Sequence, residues 1–332
     1  MKKINIFLIL YFILFISISN SEDISFNEWK STFKKYALTQ NISEETFDKA
    51  MNEVRFLPKV IEYDRYQPEF YEDTFTYVSK RTSNKKLKKG AILYKKNSKL
   101  INFTENKYEI EKELLLSLMG IETNFGNYLG KMDIVSSLAT LSYDKRRSEF
   151  FTKELITLLQ LIDDNIVDYK LLYGSWAGAF GNFQFMPSTI KNFAVDGNND
   201  NEINLKSMED SFASAANYLN KLGWRKNNPC YLKVELKNNI PLKLLNTSAK
   251  KLKNKRKIYQ LKKYIKNYDS IELDKNFKVA IITPDKDIVE NADPLKPAFI
   301  VFENYDLILK WNRSLRFALA VCTLKNKFKN EL

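Results

Sequence analysis

Residues 114–126 read LLLSLMGIETNFG, a nearly unbroken apolar run that carries a single acid, Glu122. The spacing predicts a helix over 109–125, stopped by Gly126. Leu115, Leu118 and Met119 then stand seven, four and three residues before Glu122 and share its face. The chain must therefore fold around a helix whose apolar stripe holds a carboxylate. Burying that charge without a partner is costly and raises the carboxyl pKa. A raised pKa is what a general acid needs to keep its proton near neutral pH. The alternative is a structural glutamate hydrogen-bonded to a nearby helix end.

The 332 residues can bury one large core or two ordinary ones, and 44% hydrophobic with 14% aromatic residues marks a globular chain. Lys2 and Lys3 precede an apolar run over 4–18, followed by small residues at Ser17, Ser19 and Ser21. That is the layout of a secretory signal peptide over 1–21, with a permanent membrane anchor as the alternative. The expectation is an exported protein with no stable transmembrane anchor after cleavage. The formal charge of +13 favours acidic surfaces. Lys, Asn and Ile are abundant throughout, however, so no nucleic-acid partner is inferred. There is no histidine, which excludes Ser-His-Asp and Cys-His mechanisms and histidine zinc sites. Cys230 and Cys322 can pair in an oxidising compartment or remain as separate core thiols.

Amphipathic helices are expected over 24–38 and 43–53, the second capped by Ser43. The aromatic stretch 66–77 follows, then a basic, solvated helix ending over 80–96. Further helices are expected over 144–161, with Arg146 and Arg147 opening it, over 210–222, and over 314–327. Segment 174–190, GSWAGAFGNFQFMPSTI, interleaves small residues with aromatics, so its backbone can approach another helix or a ligand closely. Strands are expected over 231–236 and 277–282, two short ones over 298–311, and a lysine-rich solvated helix over 250–266.

Several motifs in order, YDRYQPEF at 63–70, GIETNFG at 120–126, LATLSYDKRRSEFF at 138–151, GSWAGAFGNFQFMPST at 174–189, AANYLNKLGW at 215–224 and WNRSLRFALAV at 311–321, give the chain its resemblance to a family. It resembles the lytic murein transglycosylases of the membrane-bound B type over nearly the whole mature length. The resemblance implies an α+β, mainly α fold. A signal at 1–21 would be followed by an N-terminal helical region at 22–110 and a lysozyme-like catalytic core at 111–229. A β-rich subdomain at 230–311 would carry the basic helix, and a C-terminal helix at 312–332 would pack back on the core. It implies cleavage of the β-1,4 bond between N-acetylmuramic acid and N-acetylglucosamine in peptidoglycan, in the periplasm, leaving a 1,6-anhydromuramoyl end. Glycosidases ordinarily need two carboxylates. Attack by the sugar's own C6 hydroxyl needs only one, acid first and base second, and the resemblance assigns it to Glu122. A catalytically silent peptidoglycan-binding scaffold and a water-using muramidase are the rival readings.

By the same matching Ser175 would hydrogen-bond near Glu122 and the acetamido group, Gln184 would line the substrate groove, and Tyr77 lies 45 residues before Glu122 as the family's groove tyrosine does. Phe185, Tyr218 and Trp311 would supply sugar-facing or groove-wall surfaces, each with core packing as its alternative. Phe317 stands where relatives carry tyrosine. Arg146 and Arg147 suit the carboxylates of muramic acid or its peptide, or, for Arg147, a structural ion pair. Loop 196–210 offers oxygen donors at Asp196, Asn198 and Asp200, with Glu202 at a backbone-carbonyl position, like the start of an EF-hand loop. Position twelve is Ser207, and the resemblance closes the site at Asp210 instead. No cofactor is expected for the chemistry, a structural Ca2+ or Na+ is expected in this loop, and an Asx-rich turn is the alternative. Partners would be glycan strands, with other cell-wall enzymes as a second class.

Overall fold

The structure, a computed structural model, describes residues 24–67, 71–168 and 172–332. The leader expected over 1–21 and part of the aromatic stretch, residues 68–70, lie outside them.

Local chemistry sets the first elements. Helix α1 (Phe26–Thr39) opens on a capping box between Ser25 and Glu28, and α2 (Glu44–Met51) on Ser43, whose hydroxyl accepts from the Thr46 amide. Proline begins α3 (Pro58–Arg65) and Asp73 caps α4 (Thr74–Arg81). The long α5 (Asn84–Tyr108) breaks its helical geometry at Asn97 and ends on left-handed Glu109. The basic stretch 80–96 is thus not one helix end. It crosses from α4 into α5.

At the centre is α6 (Lys112–Thr123), where Leu114, Leu115, Leu116, Leu118, Met119 and Gly120 are all buried. A helix apolar on nearly every side belongs in the interior. It starts three residues later than its periodicity suggests, because Glu109 leaves the helical region. It ends at Thr123 because Asn124 and Phe125 both turn left-handed. Strand β1 (Met132–Asp133) leads into α7 (Ile134–Tyr143), buried from Ile134 to Ser142, and then α8 (Ser148–Asp163). Strand β2 (Tyr173–Gly174) pairs antiparallel with β1. Helices α9 (Pro187–Phe193) and α10 (Met208–Leu222) complete the helical core.

A small sheet follows, made of β3 (Tyr231–Val234), β4 (Leu245–Asn246), β5 (Arg256–Lys257), β6 (Lys278–Ile282) and β7 (Ala298–Val301). Its order is β3-β7-β6-β4, with β5 also paired to β6. Side chains alternate across a strand. Ala280, Ile282, Phe299 and Val301 accordingly face the helical core, while Val279, Ile281, Ala298 and Ile300 face a second cluster built on Ile258, Leu261, Ile265 and Phe302. The sheet is a wall between two cores, which explains why KVAII and AFIV run apolar without alternating.

Two expectations fail here. Residues 250–266 do not form one solvated helix. They hold β5 and a 3-10 stretch, Ile258–Tyr264, whose Ile258 and Leu261 are buried under the sheet. Stretch 298–311 is one strand, not two: after β7 the chain enters α11 (Glu303–Trp311), because Tyr305, Ile308 and Leu309 fall on one buried helical face. The last helix, α12 (Leu315–Glu331), packs on α6 and α4. Cys230 and Cys322 are joined in a disulfide across 92 residues, which settles their alternative in favour of pairing.

Candidate active site

Glu122 sits in the last turn of α6, half-buried, unlike the buried run Leu114–Gly120. The turn is pinned by Thr123, whose hydroxyl donates to the Met119 carbonyl at 3.2 Å and to the Asn182 carbonyl at 2.8 Å. The second bond draws segment 174–189 against the catalytic candidate. Gly120 is required by a close approach: a Cβ there would come within 2.7 Å of the Phe125 ring.

The indole Nε1–H of Trp311 donates to Glu122 Oε1 at 3.0 Å. Trp311 ends α11 and packs on Phe185 at 5.4 Å, Tyr218 at 5.2 Å and Phe183 at 6.3 Å between ring centroids. Tyr305, fully buried, donates its hydroxyl to the Leu315 carbonyl at 2.6 Å and fastens the corner between α11 and α12 from which Trp311 projects. Phe185 and Tyr218 are themselves buried, so they support Trp311 from behind and present little ring surface of their own. Burial also pushes the Tyr218 hydroxyl pKa up, and that hydroxyl donates to the Lys310 carbonyl.

The rest of the 174–189 segment is a braced series of turns. Phe180 and Phe185 form an antiparallel bridge, and Asn182 donates to Lys206, Ser207 and Ser211. The Ser175 hydroxyl accepts from the Ala179 amide at 3.0 Å. Gln184, left-handed at φ 51°, donates to the carbonyls of Gly181 and Leu129. Both side chains are half-buried on this segment.

Other candidates are engaged in packing or ion pairs. Tyr77 is 1% exposed with the Arg81 guanidinium 3.4 Å from its ring centre, and Phe317 is 3% exposed, so neither offers a groove face. Helix burial decided both, because α4 and α12 pack inward at those positions. Arg146 and Arg147 are both paired with the buried carboxylate of Asp64 on α3. The ion-pair alternative for Arg147 holds and extends to Arg146. Lys86 of α5 escaped sequence reasoning. It donates to the Gly120 carbonyl at 2.5 Å, and burial, followed by Arg81 and Lys89, lowers its pKa. Nothing in a run of lysines marks which one turns inward.

In loop 196–210, Asp196 accepts four backbone N–H bonds, from Asn198, Asn199, Asp200 and Asn201. Desolvation works against its ionised form, yet those bonds hold its carboxyl below the usual range. Buried Asp210 accepts from the Gly197 and Asn204 amides at 2.8 and 2.7 Å. Asp200 accepts from the Glu202 amide, and Asn198 from the Asp200 amide. Asn199 and Asn201 are left-handed, and Asn201 thereby fills the place where glycine is usual. Among the described residues no group of three or more His, Cys, Asp or Glu side chains is gathered to hold a metal ion.

The mostly helical architecture with its small sheets is a lysozyme-like fold of the kind found in SLT transglycosylases. The transglycosylase SLT domain family matches residues 25–326, and the chain belongs to that family. It is 39% identical over 138 residues to the membrane-bound lytic murein transglycosylase B of Escherichia coli strain K12, an alignment spanning 41% of this chain and 38% of that relative. Among solved structures, SltB3 from Pseudomonas aeruginosa in complex with NAG-anhNAM-pentapeptide is 30% identical with a TM-score of 0.79, covering 92% of this chain and 80% of that one. The Escherichia coli lytic transglycosylase Slt35 in complex with calcium shares the fold at 24% identity and a TM-score of 0.75, over 91% of this chain and 93% of its own.

Proposed function

We propose that this protein is a peptidoglycan lytic transglycosylase that cuts the MurNAc-β-1,4-GlcNAc bond with Glu122 as its single acid and base. Glu122 gives its proton to the glycosidic oxygen as the bond to C1 breaks. The muramoyl C6 hydroxyl then closes on C1 and returns its proton to Glu122, leaving a 1,6-anhydro ring. The 2-acetamido group stabilises positive charge at C1, as in substrate-assisted hydrolysis. Because the nucleophile belongs to the substrate, one carboxyl suffices and effective concentration does the work of a second. Ser175 and Gln184 line the groove beside the reacting sugars. The observation that carries this reading is the half-buried Glu122 held by Trp311 against the 174–189 segment.

Digestion of purified sacculi, followed by mass analysis, tests it. Wild type releases anhydro-muropeptides and Glu122→Gln releases none while keeping its melting temperature. Reducing-end muramic acid in the products would establish a water-using muramidase instead, and no release by wild type a silent scaffold. We place the activity in the periplasm, exported and soluble or peripheral. No helix of the described residues is long and apolar enough to cross a membrane.

The oxygen-only donors of loop 196–210 suit a hard cation, and we extend the reading to Ca2+ held there by Asp196, Asn198, Asp200, the Glu202 backbone carbonyl and Asp210. The ion would stiffen the loop. Since those carboxylates already accept backbone amides, the gain is small: adding Ca2+ after EDTA should raise the melting temperature by only a few degrees, and Asp210→Asn should remove that response.

A further inference from the structure

The positive charge of this chain is not spread evenly. Residues 231–266 hold 12 Lys and Arg and one acid, Glu235, whereas the other 296 residues hold 41 Lys and Arg against 39 Asp and Glu. A lysine-rich composition alone would leave acids in this stretch too. All of the twelve except Arg256 are lysines, hydrated point charges that suit scattered anions better than one planar group held bidentately.

The fold gathers part of this charge. In the 3-10 stretch Ile258–Tyr264, residues three apart share a face, so Ile258 and Leu261 enter the second core and Tyr259, Lys262 and Lys263 are left outside. Leu236 and Ile265 form an antiparallel bridge. Around it the Lys237 amide donates to the Tyr264 carbonyl at 2.9 Å and the Lys266 amide to the Glu235 carbonyl at 2.8 Å, which brings both lysines alongside. Lys237, Lys262, Lys263 and Lys266 then line one open hollow of about 500 Å³, with exposed Tyr259 on its wall and Asp269 as its one carboxylate. None of the four lysines is in an ion pair among the described residues. Asp293, paired with Lys296, senses Lys266 as well. Four exposed ammonium groups gathered in this way repel one another, and the carboxylate of Asp269 offsets that only in part.

We infer that this hollow is a second docking face for peptidoglycan, which takes the free carboxylates of stem peptides on strands other than the one held at Glu122. The inference rests on the reading of the chain as a transglycosylase. Carboxylates recur along a peptide-bearing glycan, so several lysines can be matched at once, and the Tyr259 ring offers surface to sugar or peptide. Docking there holds the enzyme on the sacculus between cuts and raises the local concentration of bonds at Glu122.

Co-sedimentation of the full chain with sacculi tests this, in a Glu122→Gln background so that the polymer stays intact. Retention should fall as salt rises past about 0.15 M, where exposed charges are screened beyond about 8 Å. Adding Lys262→Glu, Lys263→Glu and Lys266→Glu together should weaken retention about tenfold, since each exposed pair contributes little by itself. With Glu122 restored, the same three substitutions should raise KM for sacculi while kcat and the cleavage of short soluble glycan stay unchanged. Retention that ignores salt, or that survives the three substitutions, overturns the inference. Tighter binding to anionic phospholipid vesicles or to duplex DNA than to sacculi overturns it too, because phosphate would then be the ligand. If the charge-reversed chain does not fold, Lys262→Gln, Lys263→Gln and Lys266→Gln take its place, and the salt titration of the parent still decides. Failure of the proposed reaction is read separately, as release of muropeptides by Glu122→Gln.

Discussion

The two ends of α6 each carry a glutamate that accepts a tryptophan N–H, and their surroundings differ. At the N-terminal end, Glu111 is 4% exposed and takes three donors: Trp224 Nε1 at 2.5 Å, the Asn227 amide at 2.9 Å and Lys325 Nζ at 2.9 Å. Desolvation favours its neutral form, but Lys325 and these hydrogen bonds outweigh it and keep the carboxyl below its usual range. The positive end of the helix dipole acts in the same direction. At the C-terminal end, Glu122 is half-buried and meets the negative end of the dipole, which opposes a carboxylate there. One glutamate is built to stay charged. The other sits half-buried at the opposite end, against Trp311 and beside the 174–189 segment. The lesson is that a tryptophan partner does not define a carboxyl's surroundings; its burial and its place on the helix do.

The contrast predicts crossed outcomes for one substitution at the two ends. Glu122→Gln should reduce muropeptide release by at least about 10²–10⁴-fold with unfolding free energy unchanged, measured by sacculus digestion and urea titration. Glu111→Gln should do the reverse. It strands the nearly buried Lys325 ammonium and should lower stability by about 3–5 kcal/mol, while activity per folded molecule at low temperature persists. If both variants lose activity at full stability, the division of labour is wrong.

The pH dependence of folding sharpens the same point. A carboxyl held below its unfolded value stabilises the fold above the ordinary carboxylate range, and that contribution vanishes as pH falls through the folded value. Glu111 belongs to this class, so urea stability should drop as pH falls below about 4, and Glu111→Gln should flatten that drop. The disulfide braces this end of the helix, since Cys322 lies one turn before Lys325 on α12. Replacing Cys230 and Cys322 by serine should lower stability by about 2–4 kcal/mol and leave activity below the transition intact. The smallest effect concerns the other end. Gly120→Ala drives a methyl towards the Phe125 ring and should cost about 1–3 kcal/mol; a neutral result would mean that the ring moves aside freely.

Much of the fold was legible because burial leaves a period in the sequence. The apolar face of α10 follows from that, while Ser43 was readable as a cap from its hydroxyl and β6 as an unbroken apolar run. The errors share one cause. The apolar run through 298–309 reads as strand, and the helical spacing of Tyr305, Ile308 and Leu309 becomes decisive only where α11 packs on α12. Ile258, Leu261 and Ile265 look like one stripe of a solvated helix, but the sheet above them took that stripe into a second core. At the site, the position of Glu122 on its helix could be read from residue spacing. The partners of Arg146, Arg147 and Lys86 could not, because they come from other helices tens of residues away.

From its residues alone the chain specified a central apolar helix with one acid near its end, an absence of histidine that closed off several chemistries, and motifs ordered as in a transglycosylase. Those are properties of composition, period and spacing, which a linear chain carries in full. Tertiary structure alone decided that Trp311, 189 positions away, hydrogen-bonds Glu122, that Cys230 meets Cys322, and that Asp64 engages both arginines. Such pairings depend on how α11 and α12 turn back onto α6 and how α3 meets the start of α8. That is a matter of packing in three dimensions, which no local spacing encodes.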